Sequence, residues 1–441
     1  MADQTPAISS DVTIVGGGLA GKAAAIQLAR AGLKVVCVEP PQAARQPVGE
    51  SLDWSAPELL KHLGLPEEDL LASQIATWKR HVTLKMPDGS EVHYVPTEWL
   101  GRPPLHINLV TLHVGRPQLD DEILKLVLTE NVSVVREHAT DVEVVEGRIR
   151  SIKTESGTLL TSPWFIDASG GGASLLGRKL NLPSRQYGPT KVAMWTYFNV
   201  PQEVEGTTLY MDPRPDEYLE WVWEIPVSPN MVSVGYVAPG AAIKAKRDAG
   251  KSTEEIFRQQ LAKFSHFGSL LPEGPLNAVN ITSFKCRVFL QAAGPNWLIA
   301  GEAASLVDPM TSNGVTAALR QAAEAAELIL KFRKRGKLPW LARKTYSSRI
   351  LQMAKFFNEG IEKIVYEPYV RNRIGLGSAG AAYSSPAWSM NVVYARLKPR
   401  GPISTIILDA ILGFFRASAS IYYRYCSYRR PPAVHQAGSS H

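Results

Sequence analysis

Apolar and polar positions along this chain follow different periods in different stretches, and each period predicts an element. Val12–Val15 and Lys34–Val38 are short, β-branched apolar runs, as expected of parallel strands buried on both faces. Lys22 to Ala31, between them, reads as a helix, with Gly32 placed to end it as a left-handed cap. Trp297–Ala300 repeats the buried-strand pattern, Asp308-Pro309 marks a turn, and an Ala-rich helix is predicted from about Asn313 to about Lys334. The middle of the chain reads differently. KVAMWTYFNV, YLEWVWEIPV and MVSVGYV have strand composition, and a period of two puts Trp221, Trp223 and Ile225 on one face with Glu224 opposite. Tyr346–Tyr366 is a predicted helix carrying Phe356 and Phe357, with Pro368 marking its end. The fold class is therefore α/β: a doubly wound sheet, an inserted mixed β-sheet and a helical C-terminal region.

Composition narrows the function without naming it. Apolar residues make up 45% and charged residues 20% of the 441, ordinary values for a globular chain. The net charge is +7, but no basic stripe interleaved with aromatics accompanies it, which argues against nucleic acid as a partner. The densest cluster, KFRKRGK (Lys331–Lys337), reads as the C-terminal end of a helix, where cations suit the dipole. Cys37, Cys286 and Cys426 have no CxxC spacing, which excludes a disulfide framework and a zinc site. Together with an N-terminus lacking a basic and apolar leader, this predicts a cytoplasmic protein.

The first chemistry lies in DVTIVGGGLAGKAAAIQLARAGLKVVCVEP. Gly16-x-Gly18-x-x-Gly21 follows the first strand at once. Gly16 permits the tight turn, Gly18 lets the backbone approach a pyrophosphate, and Gly21 lets helix pack on strand. Leu19 and Ala20 complete the loop at a helix N-terminus whose free N–H groups suit phosphates. Glu39, 18 residues after Gly21, ends the next strand where an acid accepts ribose hydroxyls. The motif alone does not separate NAD from FAD. The indole pair of WVWEIP (Trp221–Pro226) is equally open at this level, since a sheet packed on its own core and a cofactor wall both use such residues.

Taken with Gly49-Glu50-Ser51, Arg116 in HVGRPQLDDEIL, Phe165–Arg178, and the later run from Gly301-Glu302 through Asp308-Pro309 to Gly314-Val315, the glycine loop resembles the flavoprotein monooxygenase and halogenase superfamily over residues 10–335. The resemblance implies FAD, with the first loop on the ADP pyrophosphate and the later segment on the ribityl chain and isoalloxazine. One position departs: the family usually has Asp where this chain has Glu302, one methylene longer.

Within that superfamily, W-x-W-x-I-P marks flavin-dependent halogenases. The resemblance implies that Trp221, Trp223, Ile225 and Pro226 line the passage between flavin and substrate and hinder ordinary monooxygenation. Gly49–Leu84 resembles the halogenase stretch ending near the active-site lysine, which falls on Lys79, 29 residues after Glu50. In that family hypohalous acid is held by the lysine, or bound to it as a haloamine, and delivered to an electron-rich ring. A compact ammonium with three donors and a pKa that shifts on burial suits this task. Ser312, Asn313 and Gly314 fall where halogenases hold chloride or bromide at a helix start, although Ser/Thr-Gly is the commoner sequence there. Thr311 stands at the catalytic position where tryptophan halogenases carry Glu, and Thr cannot take a proton at neutral pH. A phenol, pyrrole or other self-activated ring is expected rather than free tryptophan, with Glu359 and His93 as open candidates for any base.

These features predict a halogenase that uses reduced FAD, O2 and halide on an aromatic substrate, free or carrier-bound. IGLGSAG around Gly375 does not follow a strand, so no second dinucleotide loop appears, and a separate flavin reductase is the expected partner. A flavin monooxygenase (hydroxylase) and a flavin-binding assembly factor without chemistry are the rival readings. The expected domains are residues 10–185 and 291–338 for FAD, 186–290 for a covering β-sheet, and 339–430 for helices that close over substrate. Residues 431–441 read as a disordered tail. ISTIILDAILGFF (Ile403–Phe415) is too short to span a bilayer, and suits either a core or homodimer helix or a weak interfacial membrane contact.

Overall fold

A computed structural model describes residues 7–41, 48–100, 109–171, 174–201, 204–276 and 278–375, with four isolated positions beyond. Except for two of those isolated positions, Ile403–Phe415 lies outside the described residues, as does the whole 431–441 tail. The fold is α/β. Five parallel strands stand in the order Trp297–Ile299, Trp164–Asp167, Val12–Val15, Val35–Glu39 and Val132–Arg136. The first four are apolar along nearly their whole length because helices cover the sheet.

Helix Leu19–Arg30 rises directly from the first strand, three residues earlier than its composition suggested, so Gly21 sits inside the helix. A Cβ at Gly21 would lie 1.8 Å from the Gly16 carbonyl oxygen, which is why the close approach of helix and loop needs glycine there. Gly32 has φ +81°, as a left-handed terminator should. The Ala-rich helix runs Gly314–Phe332 and packs on the first helix through small side chains; the cationic cluster does fall at its C-terminal end.

Over this unit lies an eight-stranded mixed sheet in the order Ser305–Leu306, Asn280–Phe289, Ser184–Phe198, Met231–Pro239, Glu220–Ser228, Gly206–Asp212, His81–Lys85 and Glu91–Tyr94. His81–Lys85 joins it in parallel with Gly206–Asp212, so strands far apart in sequence share one sheet. Its two faces bury different sets. Val222, Val234 and Tyr236 pack under helices Gly240–Asp248 and Thr253–Leu261. Trp221, Trp223, Ile225 and Val227 face the other way, with Trp54, Trp195, Phe356 and Phe357. The period of two is obeyed: Glu224 lies on the far side, accepting a hydrogen bond from Tyr210 at 2.7 Å.

The helix predicted at Tyr346–Tyr366 begins earlier, at Trp340, and ends at Ile361 in a π-helical turn, Glu362–Tyr366; Pro368 then opens a further helix, Pro368–Ile374. A π turn widens the backbone locally and is a common device at functional sites. Here it turns Glu362 and Tyr366 toward the sheet.

Candidate active site

A cavity of about 560 Å³ lies between the parallel unit and the mixed sheet. Its lining joins the glycine loop and helix start (Gly18, Leu19, Ala20, Arg116), the Glu50-Ser51 segment, the later turn (Glu302, Ser312, Gly314, Val315), and the sheet face bearing Trp195, Trp221, Trp223 and Ile225. The indole pair is thus both core and wall. Its ring centroids are 5.9 Å apart at 49°. Each indole is fixed by its N–H: Trp223 donates to Ser233 Oγ at 3.1 Å, and Trp221 to Tyr366 Oη at 2.8 Å.

Tyr366 belongs to a buried ionic cluster that sequence reading missed. Its hydroxyl donates to Asp308 Oδ1 at 3.0 Å, and Lys191 Nζ reaches Asp308 Oδ2 at 2.7 Å and also Glu362, which in turn accepts from Tyr218. The Lys191 ammonium stands 4.0 Å from the Tyr366 ring centroid. Burial alone would pull the Lys191 pKa down; the facing Asp308, Cys286 and Glu362 outweigh it, so Lys191 stays raised and charged. Burial raises Glu362, against the opposing pull of Lys191. The Asp308 carboxylate, expected at the cofactor, is turned into this cluster and does not line the cavity.

Thr311, Pro226 and Lys79 also stand off the cavity lining. Thr311 donates its hydroxyl to the Asp308 carbonyl at 2.7 Å, within a 3-10 turn. Pro226 sits where the strand pairing shifts register near its hairpin end, and its carbonyl accepts from Thr77 at 2.6 Å. Lys79 is 2% exposed; its amine donates to the Leu52 carbonyl at 2.9 Å and lies 5.2 Å from the Trp54 ring centroid. It does not line the cavity; the Leu52 it bonds directly follows Ser51, which does. Burial lowers its pKa to about 7, only partly offset by Asp53. Neither candidate base is at the site: Glu359 pairs with Lys355 and Lys363, and His93 with Glu91.

What stands near Lys79 instead is His113, fully buried. A chain of hydroxyls links it to the cavity: Ser312 to Ser51 at 3.1 Å, Ser51 to Thr207 at 2.8 Å, Thr207 to His113 Nε2 at 2.9 Å. Burial, then the charges of Lys79 and His81, push His113 well below its ordinary range, so it is neutral. Nothing in its neighbourhood HVGRPQ distinguishes it from a core histidine. Glu50 also faces the cavity. Burial raises its pKa, opposed by the Tyr197 hydroxyl, which donates at 2.8 Å.

A Cβ at Gly18 would meet open space, whereas at Gly16, φ +108°, it would strike the Ala168 backbone. Glu39 folds back against Gly17 and pairs with Arg136. Gly301, φ +65°, does not line the cavity; a Cβ there would meet Ala20 Cβ at 2.7 Å, so it allows the later turn to pack on the first helix. At that turn Ser312 has φ +54°, and Asn313 caps a 19-residue helix with its Nδ2 buried and unpartnered among the described residues. These residues leave room for a dinucleotide where FAD is expected.

A nucleotide cradle that opens straight into an indole-walled chamber has the layout that would bring a dinucleotide cofactor's reactive ring to a substrate. The chain belongs to the FAD binding domain family, whose model matches residues 9–356. It is 29% identical over 332 residues to the tryptophan 2-halogenase of Chondromyces crocatus, a match covering 72% of this chain and 60% of that relative. The chain thus spans less than two thirds of that relative's length. It is 25% identical over 336 residues to the 1H-pyrrole-2-carbonyl-[peptidyl-carrier protein] brominase of Pseudoalteromonas luteoviolacea, covering 73% of this chain and 77% of that protein. The fold is shared with a triple mutant of the flavin-dependent brominase Bmp2, at TM-score 0.73 and 21% identity over 94% of this chain and 100% of that one.

Proposed function

We propose that the protein is a flavin-dependent halogenase, using reduced FAD, O2 and chloride or bromide on an electron-rich aromatic substrate, free or carrier-bound, with a separate reductase supplying the flavin. One observation carries this reading: a single cavity runs from Gly18 to the Trp221/Trp223 wall, and the buried Lys79 amine is bonded to the Leu52 carbonyl, next in sequence to the lining Ser51. Bound and reduced, FAD supplies the electrons that activate O2 toward halide. The chain does the rest. The indoles exclude water from the passage, and their fixed N–H groups hold the wall rigid. Ser312, Asn313 and Gly314 offer donors at a helix N-terminus for the halide. Lys79, with a pKa of about 7, presents a large fraction of nucleophilic free amine at neutral pH, which can take an oxidised halogen and pass it to the ring.

The same Lys79 geometry gives the rival hydroxylase its one support, because the amine is turned to the Leu52 carbonyl and the Trp54 ring and does not line the cavity. Halide dependence divides the two. Turnover is expected to require chloride or bromide, and Asn313→Ala to raise the halide concentration at half-maximal rate roughly tenfold, the loss of one hydrogen bond to an ion. Turnover that proceeds equally in halide-free buffer establishes the hydroxylase.

A further inference from the structure

The elbow between helices Gly314–Phe332 and Trp340–Ile361 has no part in the site above. Trp340 and Leu341, at the start of the second helix, are 62% and 66% exposed, among the most exposed large apolar side chains of the described residues. Around them Lys331, Arg333, Lys334, Arg335, Lys337 and Lys344 are all exposed. From Glu327 to Glu359 no acidic residue intervenes, while Lys and Arg occur nine times; this stretch carries more positive charge than the net +7 of the whole chain. The elbow is also held rigid. Arg148 donates to the Gly336 carbonyl at 2.8 Å, and the Leu338 N–H to the Pro295 carbonyl at 2.7 Å. Leu338 is buried as the anchor beneath, so the exposed indole and leucine are presented, not left loose.

We propose that this elbow docks the protein on an anionic membrane surface, with Trp340 and Leu341 entering the headgroup region and the surrounding cations meeting anionic lipid. The pairing of an amphipathic indole with a ring of long cationic side chains is what an interfacial contact needs, and each cation near such a surface adds to the attraction. No helix among the described residues is long and apolar enough to cross a membrane, so the contact is peripheral. A carrier protein delivering substrate is the other acidic partner such a charge would attract, but position argues against it. The helix whose Gly314 end lines the cavity ends at Phe332, 18 residues on, so the elbow stands about 27 Å along that axis from the cavity. Docking there leaves the cavity free.

The test is co-sedimentation of the full chain with vesicles of phosphatidylcholine alone or with 30% phosphatidylglycerol, a composition chosen to be strongly anionic. The expected result is at least roughly tenfold greater binding to the anionic vesicles, falling about tenfold between ~50 and ~500 mM salt as screening shortens the reach of the charges. Lys334→Glu/Arg335→Glu/Lys337→Glu is expected to lose about tenfold in binding. Trp340→Ser/Leu341→Ser is expected to lose about fivefold and keep a weak, salt-sensitive remainder. Melting temperature and bound flavin, measured on each variant, show that the fold is intact. Failure of the wild-type chain to pellet with anionic vesicles, or variants that bind as it does, overturns the proposal. So does a wild-type dimer that Trp340→Ser/Leu341→Ser converts to monomer, since the patch would then be covered by a second copy.

Discussion

Lys79→Met is expected to lower product formation at least roughly 100-fold, keep flavin bound, and make the folded protein more stable at pH 7. The first effect follows from removing the amine proposed to carry the halogen. The last follows from burial. Lys79 has its pKa lowered from 10.5 to about 7. Between those values the unfolded chain holds a proton that the folded chain does not, so stability rises with pH across this window. Below about pH 7 the full cost of a charged buried amine is present, on the order of a few kcal/mol. Methionine matches the shape without the charge and removes that cost, less about 1 kcal/mol for the hydrogen bond lost at Leu52. The advantage should therefore be largest at and below pH 7 and shrink toward pH 10. Thermal melts of both proteins from pH 6 to 10 check it. A variant less stable than the wild type at pH 7 would mean that the amine serves structure, not chemistry.

Lys191→Met should act in the opposite sense, with a loss of about 3–5 kcal/mol. It leaves Asp308 and Glu362 buried side by side without the ammonium that joins them. The loss should deepen as pH rises and Glu362, whose pKa burial raises, is pressed to ionise, and ease in acid, where it can be neutral. Adding Glu362→Gln to Lys191→Met should recover part of it, because one of the two stranded carboxyls is gone. Urea denaturation at pH 5 and pH 8 measures both terms. Since Asp308 accepts from Tyr366, whose hydroxyl accepts the Trp221 N–H, the single variant should show a changed tryptophan emission before it unfolds. Unchanged stability in Lys191→Met would remove the cluster from any role in fixing the indole wall.

Local patterns in the sequence define local elements. Val12–Val15, the glycine loop and Val35–Glu39 form a unit whose contacts lie within thirty residues, so spacing alone defines it. Trp221 and Trp223 share a face because alternation is a property of any strand. Which body that face meets is not local; the cavity arises only when Gly18 and Ser312, nearly three hundred residues apart, come together. Lys191 in KVAMWTYFNV looks like a solvated strand residue, and only the arrival of Asp308 and Glu362, 117 and 171 residues away, makes it an ion-pair centre. Asp308 is assigned to the cofactor by the family resemblance, and the turn that Asp-Pro signals does not say which way its carboxylate points. His113 gave no signal, since its hydroxyl partners Thr207 and Ser51 are far along the chain.

The halogenase reading rests most directly on what is attached to the product. Incubated with reduced FAD, air, bromide and a panel of phenols, pyrroles and indoles, the protein is expected to yield a product whose mass spectrum shows the paired peaks of the two bromine isotopes. An added oxygen in its place, formed at the same rate whether bromide is present or absent, would contradict it.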